Sequence, residues 1–234
     1  MLNALFGGGD LRTYLIQLLL SLPIVLFALC LHETAHGFVA YKLGDPTAKS
    51  LGRLSLSPLK HLDPIGFLCM LLCGVGWAKP VPINTRYFKK PRRDMALTAL
   101  AGPVSNLLLA ALFTLLLKVA DLTLMRMSFP NETAAELAGY FVLFLYLGVR
   151  LNVTLAVFNL LPVPPFDGSR IAAVFLPYKV HVWIWRHERI FMMVMLALLI
   201  VGVFDPLINL LTDSIMKLLF AAGFLQGSYF WSML

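Results

Sequence analysis

The sequence predicts an all-α polytopic membrane protein with about four full transmembrane helices, a re-entrant segment and a short membrane-associated β-hairpin. Hydrophobic residues make up 59% of the 234-residue chain and charged residues only 13%, a balance outside the range of soluble globular domains. An apolar helix of about 20 residues can cross the ~30 Å hydrocarbon core of a bilayer. The stretches that reach this length are residues 11–31, 95–117, 137–161 and 190–211.

Helix boundaries follow from capping residues and prolines. Asp10 is a suitable N-cap for the first helix, which continues until the Gly-Asp-Pro sequence of residues 44–46. The third helix ends at Leu161, because three prolines follow within four residues and cannot continue it. The second helix is predicted to start near Asp94 and the fourth near Glu188.

Two shorter segments lie between the first and second helices. Residues 51–59 alternate apolar with small or polar side chains, which predicts a short strand, and residues 79–83 are its partner or an extended loop. Open strand edges are not tolerated against lipid, so this hairpin must be covered by protein or face a watery cavity. The apolar segment Pro64–Ala78 spans roughly 22 Å as a helix, too short for a full crossing, and is predicted to be re-entrant.

The basic residues indicate the orientation of the chain. Fourteen of the 19 Lys and Arg residues fall in residues 40–62, 79–94 and 162–189, which the positive-inside rule assigns to the cytoplasm. The N-terminus, residues 118–136 and the C-terminal tail are then on the other side of a cell membrane. Both flanks of the re-entrant segment are cytoplasmic, so it must enter and leave by one face. The net charge of +7 is thus explained by topology and does not indicate a nucleic-acid partner.

One integral membrane domain is predicted to occupy residues 1–234. The first apolar run has no basic segment before it and no small-residue cleavage pattern, so it is expected to be retained rather than removed as a signal peptide. The tail from Thr212 is expected to be interfacial, with Tyr229 and Trp231 as anchors. A spanning tail is the alternative.

The first helix carries an H-E-x-x-H sequence made of His32, Glu33 and His36. Histidines four residues apart lie on one face of a helix, where both imidazoles can bind the same zinc ion. Ionisable groups inside a membrane helix are costly to bury and mark functional sites. The motif therefore predicts a catalytic metal site in which Glu33 acts on a water molecule.

Catalytic zinc needs a third protein ligand and an open position. His32 lies about 30 Å along the first helix and therefore in the cytoplasmic half of the membrane. Asp167 follows the return of the third helix to that side, whereas Asp205 would lie near the opposite face. Depth therefore favours Asp167 as the third ligand, and His61 and Asp63 remain alternatives.

A wider set of motifs resembles the site-2 protease family of intramembrane zinc metalloproteases, in its compact bacterial branch without a PDZ domain. Besides H-E-x-x-H, the matching segments are residues 52–66, 76–84, 91–94, 101–106 and the Asn-Leu-Leu-Pro…Phe-Asp-Gly sequence of residues 159–168. Two departures from that branch are Ser57, where Asn is common, and the absence of a proline in residues 69–72. They bear on substrate contacts rather than on the metal.

The resemblance implies a role for each matching residue. It implies one Zn²⁺ ion held by His32, His36 and Asp167, with Glu33 as the general base. It also implies that Asn159 helps to hold the substrate backbone and that the helix at Gly102–Asn106 packs closely against the catalytic helices. Asn106 is predicted to bind substrate as well, with tight helix packing as the alternative. The expected catalytic core is about residues 11–175, with an accessory helix and tail at 186–234.

The function implied is hydrolysis of peptide bonds within or next to transmembrane segments of membrane-protein substrates, near the cytoplasmic side. The alternative from another class is a zinc carrier or a regulatory relative without proteolysis, which has no need of Glu33 beside two ligands. An integral membrane scaffold would bind no metal. The substrate and the oligomeric state stay open.

Overall fold

The computed structural model describes residues 11–73, 76–124 and 126–223. These residues are almost entirely helical. In chain order the helices are α1 (Leu11–Lys42), α2 (Thr47–Ser50), α3 (Pro58–His61), α4 (Pro64–Cys73), α5 (Pro91–Leu124), α6 (Glu132–Asn159), α7 (Asp167–Ala172), α8 (Tyr178–Arg186), α9 (Glu188–Ile200) and α10 (Asp205–Gly223), with a 3₁₀ turn at Thr85–Tyr87.

Three of the described helices, α1, α5 and α6, are long and apolar enough to cross a membrane. They cover the first three predicted spans, except that α6 ends at Asn159, two residues before the predicted end at Leu161, and they pack against one another. Small and β-branched side chains such as Ala110, Val149 and Val153 form the buried core between α5 and α6. On the outer face of α5, Leu108, Leu115 and Leu122 are exposed, as expected for lipid-facing positions. The protein is therefore a helical membrane protein.

The fourth predicted span, residues 190–211, is divided between α9 and α10 in the structure. The break is at Gly202, whose φ of +79° favours glycine, and Pro206 lies in the first turn of α10, where proline is well tolerated. The prediction of four full spans is therefore not confirmed. Thr212, predicted to begin an interfacial tail, lies buried inside α10, while Tyr229 and Trp231 lie outside the described residues.

The predicted β-hairpin is not confirmed either. Among the described residues the structure has no strand, and a single antiparallel bridge joins Leu62 to Ala78. Proline explains the difference, because Pro58 begins α3 and the prolines at 80 and 82 have no N–H to donate to a ladder.

The segment predicted to be re-entrant returns to its starting point. The bridge between Leu62 and Ala78 is reinforced by a 2.8 Å hydrogen bond from the Lys79 N–H to the His61 carbonyl. Within the loop, α4 packs so closely on the returning chain that a Cβ at Gly66 would lie 2.2 Å from the Trp77 carbonyl oxygen. Both ends of the segment therefore lie together, as entry and exit by one face require.

Candidate metal centre

His32 and His36 bring two imidazoles together on one face of α1. Their Nε2 atoms are 3.0 Å apart, and both side chains are buried. The four-residue spacing of the helix places one histidine a turn above the other. The predicted pairing of the two imidazoles is present in the structure.

Asp167 is brought to the same point by the end of α6 and the start of α7. Its Oδ2 lies 3.1 Å from the Nε2 of His32 and 3.1 Å from the Nε2 of His36. The ligand atoms of the three residues lie within 4.8 Å of one another, and all three residues are buried. The chain thus brings together two imidazoles and a carboxylate from distant segments, with His32 and Asp167 135 residues apart in sequence.

A hydrogen bond at Nδ1 of His36, the ring nitrogen outside the cluster, defines which nitrogen of this ring carries the proton. His36 Nδ1 is 2.7 Å from the Thr98 carbonyl oxygen of α5. A carbonyl can only accept, so Nδ1 carries the proton, and the neutral ring presents a lone pair at Nε2. A lone pair facing a carboxylate and a second imidazole is favourable only with a cation or a proton between them.

Asn106 of α5 contacts Nδ1 of His32, just as the Thr98 carbonyl contacts Nδ1 of His36. The amide nitrogen of Asn106 lies 3.2 Å from His32 Nδ1, and the buried Oδ1 of Asn106 has no hydrogen-bond partner. If His32 binds metal through Nε2, its Nδ1 carries a proton, and an amide rotated by 180° would accept that proton with Oδ1. Asn106 therefore lies behind His32, on the side of the ring away from the cluster, and its substrate-binding role remains a prediction.

The geometry fits a zinc ion. Tetrahedral zinc with bonds of 2.0–2.1 Å sets neighbouring ligand atoms about 3.3 Å apart, close to the 3.0 and 3.1 Å distances among His32, His36 and Asp167. Two neutral imidazoles and one carboxylate are a donor set that zinc accepts, and three protein ligands leave the fourth position open. The residues present therefore suit a catalytic zinc site.

The carboxylate of Asp167 is ready to act as an anionic ligand. Burial opposes its ionisation, but in the metal-free cluster the hydrogen bonds from protonated His32 and His36 rings and the positive charges of those rings outweigh burial and hold the pKa of Asp167 well below its ordinary value. The group therefore stays ionised through the physiological range.

Two glycines make the close approach of the helices to this cluster possible. A Cβ at Gly102 of α5 would lie 2.5 Å from ring atoms of both His32 and His36. A Cβ at Gly168 would lie 2.2 Å from the Leu160 carbonyl oxygen. Gly102 thus gives the imidazoles their space, and Gly168 lets α7 turn back against the end of α6 directly after Asp167.

Glu33 lies on α1 between the two histidines and is partly buried. Its Oε2 accepts a hydrogen bond of 2.8 Å from the backbone N–H of Val81, in the extended chain that follows the re-entrant segment. The predicted base is thus tied to a second part of the chain. Val81 and Thr98 could not be singled out from the sequence, because a backbone donor or acceptor has no residue signature. The prolines on either side of Val81 were the only available signal.

The other predicted candidates lie elsewhere. His61 Nε2 donates to the Ser55 carbonyl oxygen at 2.6 Å. Asp63 accepts hydrogen bonds from backbone N–H groups in the first turn of α4. The structure therefore gathers Asp167, and neither alternative, with the imidazoles. The Asn159 amide donates to the carbonyl of Leu155 in its own helix at 2.9 Å, and its substrate role remains a prediction.

Comparisons with known proteins agree with this centre. The model of peptidase family M50 matches residues 20–202, which include the whole His-His-Asp cluster. A protein of Bacillus subtilis named "Putative zinc metalloprotease YwhC" is 42% identical over 192 residues, covering 80% of this chain and 85% of that protein.

Two further relatives are more distant. One from Mycolicibacterium smegmatis, named "Putative zinc metalloprotease Rip2", is 35% identical over 149 residues, covering 61% of this chain and 52% of that protein. One from Methanocaldococcus jannaschii, named "Putative zinc metalloprotease MJ0611", is 28% identical over 153 residues, covering 64% of this chain and 72% of that protein. No solved structure matches the chain.

Spanning helices and a buried His-His-Asp cluster place the protein in the class of membrane zinc metalloendopeptidases. The chain belongs to peptidase family M50, the site-2 proteases that its motifs resembled. The relatives and the donor set together identify Zn²⁺ as the cofactor.

Proposed function

We propose that this protein is an intramembrane endopeptidase that hydrolyses peptide bonds within or next to transmembrane segments of membrane proteins, near the cytoplasmic side. The observation that carries the proposal is the buried cluster of His32, His36 and Asp167 with Glu33 between the histidines, on a helix suited to span a bilayer. Hydrolysis inside the membrane needs a water molecule, and this polar cluster provides groups that can bind one.

The residues divide the chemistry between them. A bound zinc ion supplies Lewis-acid chemistry, which lowers the pKa of a water molecule and polarises the scissile carbonyl. His32, His36 and Asp167 hold the metal with side chains that are orientated by their own hydrogen bonds. Glu33 takes a proton from the attacking water and passes it to the leaving amine, so that it ends the cycle unprotonated. Asn159, the last residue of α6, is proposed to hold the substrate backbone.

The position along the chain supports cleavage near the cytoplasmic face. His32 and His36 are in the second half of α1, close to the basic segments that the positive-inside rule assigns to the cytoplasm. Asp167 follows α6 on its return to the same end. The proposed orientation therefore has the N-terminus on the non-cytoplasmic side of the cell membrane.

A substrate helix must unwind before its peptide bond can be attacked, because its own hydrogen bonds and side chains shield the carbonyl. Two segments beside the cluster, residues 53–57 and 79–84, have no regular helix or strand. We propose that an unwound substrate pairs with extended chain here, as in recognition by strand addition. Thr34 ties residues 53–57 to α1 through a 2.9 Å hydrogen bond to the Ser55 carbonyl.

The alternative function, a zinc carrier without proteolysis, is less well supported. A carrier requires metal-binding groups along both halves of its path, whereas the only metal-binding cluster among the described residues is the one on α1 and α7. It also has no use for Glu33 beside two ligands. The position of Glu33 therefore favours the protease.

The test is co-expression with tagged single-pass membrane proteins, comparing wild type with Glu33→Gln. Wild type should convert a subset of these proteins to shorter fragments, and the variant should accumulate the uncut precursors. Purified Glu33→Gln should retain zinc, because its metal ligands are intact. Cleavage that persists in the purified variant would disprove the proposed mechanism, and zinc uptake by a wild type that cuts no membrane protein would favour the carrier.

A further inference from the structure

The short extended segment around Val81 has one backbone donor at its centre. Pro80 and Pro82 have no N–H, so Val81 supplies the only backbone N–H in residues 80–82. That N–H donates to Glu33 Oε2 at 2.8 Å. No described residue forms a hydrogen bond with the other carboxylate oxygen of Glu33. The segment thus offers one donor, and it is directed at one oxygen of the catalytic base.

This donor is held rigidly. Arg53 Nη2 donates to the carbonyl oxygens of Lys79, at 2.7 Å, and Pro80, at 3.2 Å. On the far side, the Asn84 N–H donates to Asp45 Oδ2 at 2.7 Å. The Val81 side chain is buried and lies next to Gly37 of α1, where a Cβ would be 3.1 Å from Val81 Cγ1. The segment is therefore fixed before, at and after the donor.

We propose that the Val81 backbone N–H is the group that orientates Glu33 for proton transfer, and that Arg53 is a positioning residue that keeps this N–H in place. This inference rests on the proposed function. The hydrogen bond occupies Oε2 and leaves Oε1 to take the proton from water and later to give it to the amine. A carboxylate held at one oxygen by a charge-assisted hydrogen bond loses the rotational freedom that would otherwise misdirect the other oxygen.

The competing interpretation of the same contact is a resting lock that holds Glu33 away from its water. The two interpretations predict opposite changes in the turnover number when the Val81 N–H is removed. Removal of a lock would raise the turnover number, whereas removal of a positioning donor lowers it. The rigid attachment of the segment by Arg53 and Asp45 favours positioning, since a lock must be able to release.

The decisive pair of variants is Val81→Pro and Val81→Ala. Proline deletes the N–H and is compatible with the extended backbone that Pro82 already imposes on residue 81. Alanine keeps the N–H and removes two buried methyl groups, so it measures the packing contribution of the side chain. Arg53→Gln is a third variant, which loosens the segment without altering residue 81.

Kinetics on a cleaved membrane-protein substrate should separate these effects. Val81→Pro should lower kcat by about 10- to 100-fold, with KM and zinc content near the wild-type values, because orientation and not binding is lost. The loss of kcat should exceed that in Val81→Ala by about tenfold or more, and Arg53→Gln should lie between them. Equal losses in the two Val81 variants, or a higher kcat in Val81→Pro, would overturn the proposal.

A second readout does not depend on turnover. The infrared carboxylate band of Glu33, taken as the difference between each protein and its Glu33→Gln counterpart, should shift in Val81→Pro and much less in Val81→Ala. An unshifted band in folded Val81→Pro would show that the hydrogen bond is not formed and would overturn the proposal. If wild type binds zinc but shows no Glu33-dependent cleavage, the proposed function fails. A band that still shifts in Val81→Pro would then show that the hydrogen bond from Val81 to Glu33 exists, so the failure would concern the function and not the contact.

Discussion

Gly102 faces the Nε2 atom of His32 so closely that a Cβ at residue 102 would lie 2.5 Å from it. The same Cβ would lie 2.5 Å from Cε1 of His36. Real Cβ contacts do not occur at such distances, so α1 or α5 would have to move. The absence of a side chain at this position is therefore part of the metal centre.

Gly102→Ala should lower the affinity for zinc by about 10-fold or more, because it displaces the imidazoles from their common point. The measurement is zinc content after equilibration with a competing chelator. Gly139→Ala in α6 is the matched control, because its added Cβ would meet no described packing neighbour within 4 Å outside its own stretch of helix and alanine favours a helix. Equal zinc retention in both variants would contradict the geometry at Gly102.

Asp167→Ala should abolish stoichiometric zinc binding, since two imidazoles alone leave a weak and open site. The control is Asp63→Ala, which removes a carboxylate that instead caps α4. Elemental analysis of both purified variants distinguishes them. If Asp63→Ala lost the metal and Asp167→Ala kept it, the ligand assignment would be wrong.

Asn106→Leu should weaken zinc binding by about 10- to 100-fold while leaving a measurable site, because it removes the side chain that contacts His32 Nδ1 and not a ligand. Chelator competition gives the affinity. Asn152→Leu in α6 is a suitable control, since Asn152 is also fully buried and bonds to the Gly148 carbonyl of its own helix. Unchanged affinity in Asn106→Leu, with altered substrate KM, would instead support the predicted substrate-binding role of Asn106.

Gly168→Ala should reduce both thermal stability and zinc content. The added Cβ would lie 2.2 Å from the Leu160 carbonyl oxygen and 2.4 Å from that of Leu161, so the backbone that holds Asp167 must shift. A destabilisation of about 1–3 kcal/mol is typical for overpacking of this kind. Thermal unfolding with and without added zinc measures it. Wild-type stability and zinc content in Gly168→Ala would show that α7 tolerates the shift without moving its carboxylate.

The proposed metal ligands on α1 and the first three spans could be predicted from the sequence because they depend on local patterns. H-E-x-x-H needs only helical spacing to bring His32 and His36 to one face, and long apolar runs predict spanning helices without knowledge of their partners. Membership of the family could also be inferred, since its motifs are contiguous stretches such as residues 159–168. The fourth span was predicted wrongly as one helix because hydrophobicity continues across Gly202, where the backbone conformation breaks the helix.

The tertiary structure alone decided which carboxylate completes the cluster and what holds the catalytic groups. The predicted membrane depth left His61 and Asp63 as alternatives to Asp167. In the structure α7 packs on α5, and Asp167 is the carboxylate that joins the two imidazoles. Thr98 contacts His36 and Val81 contacts Glu33 through backbone atoms, which every residue possesses, so no sequence pattern could single these two residues out. Local spacing therefore determined the pairing of the two imidazoles and the position of the proposed base between them. Contacts between distant segments, which depend on close helix packing, determined which carboxylate joins the imidazoles and how all four groups are orientated.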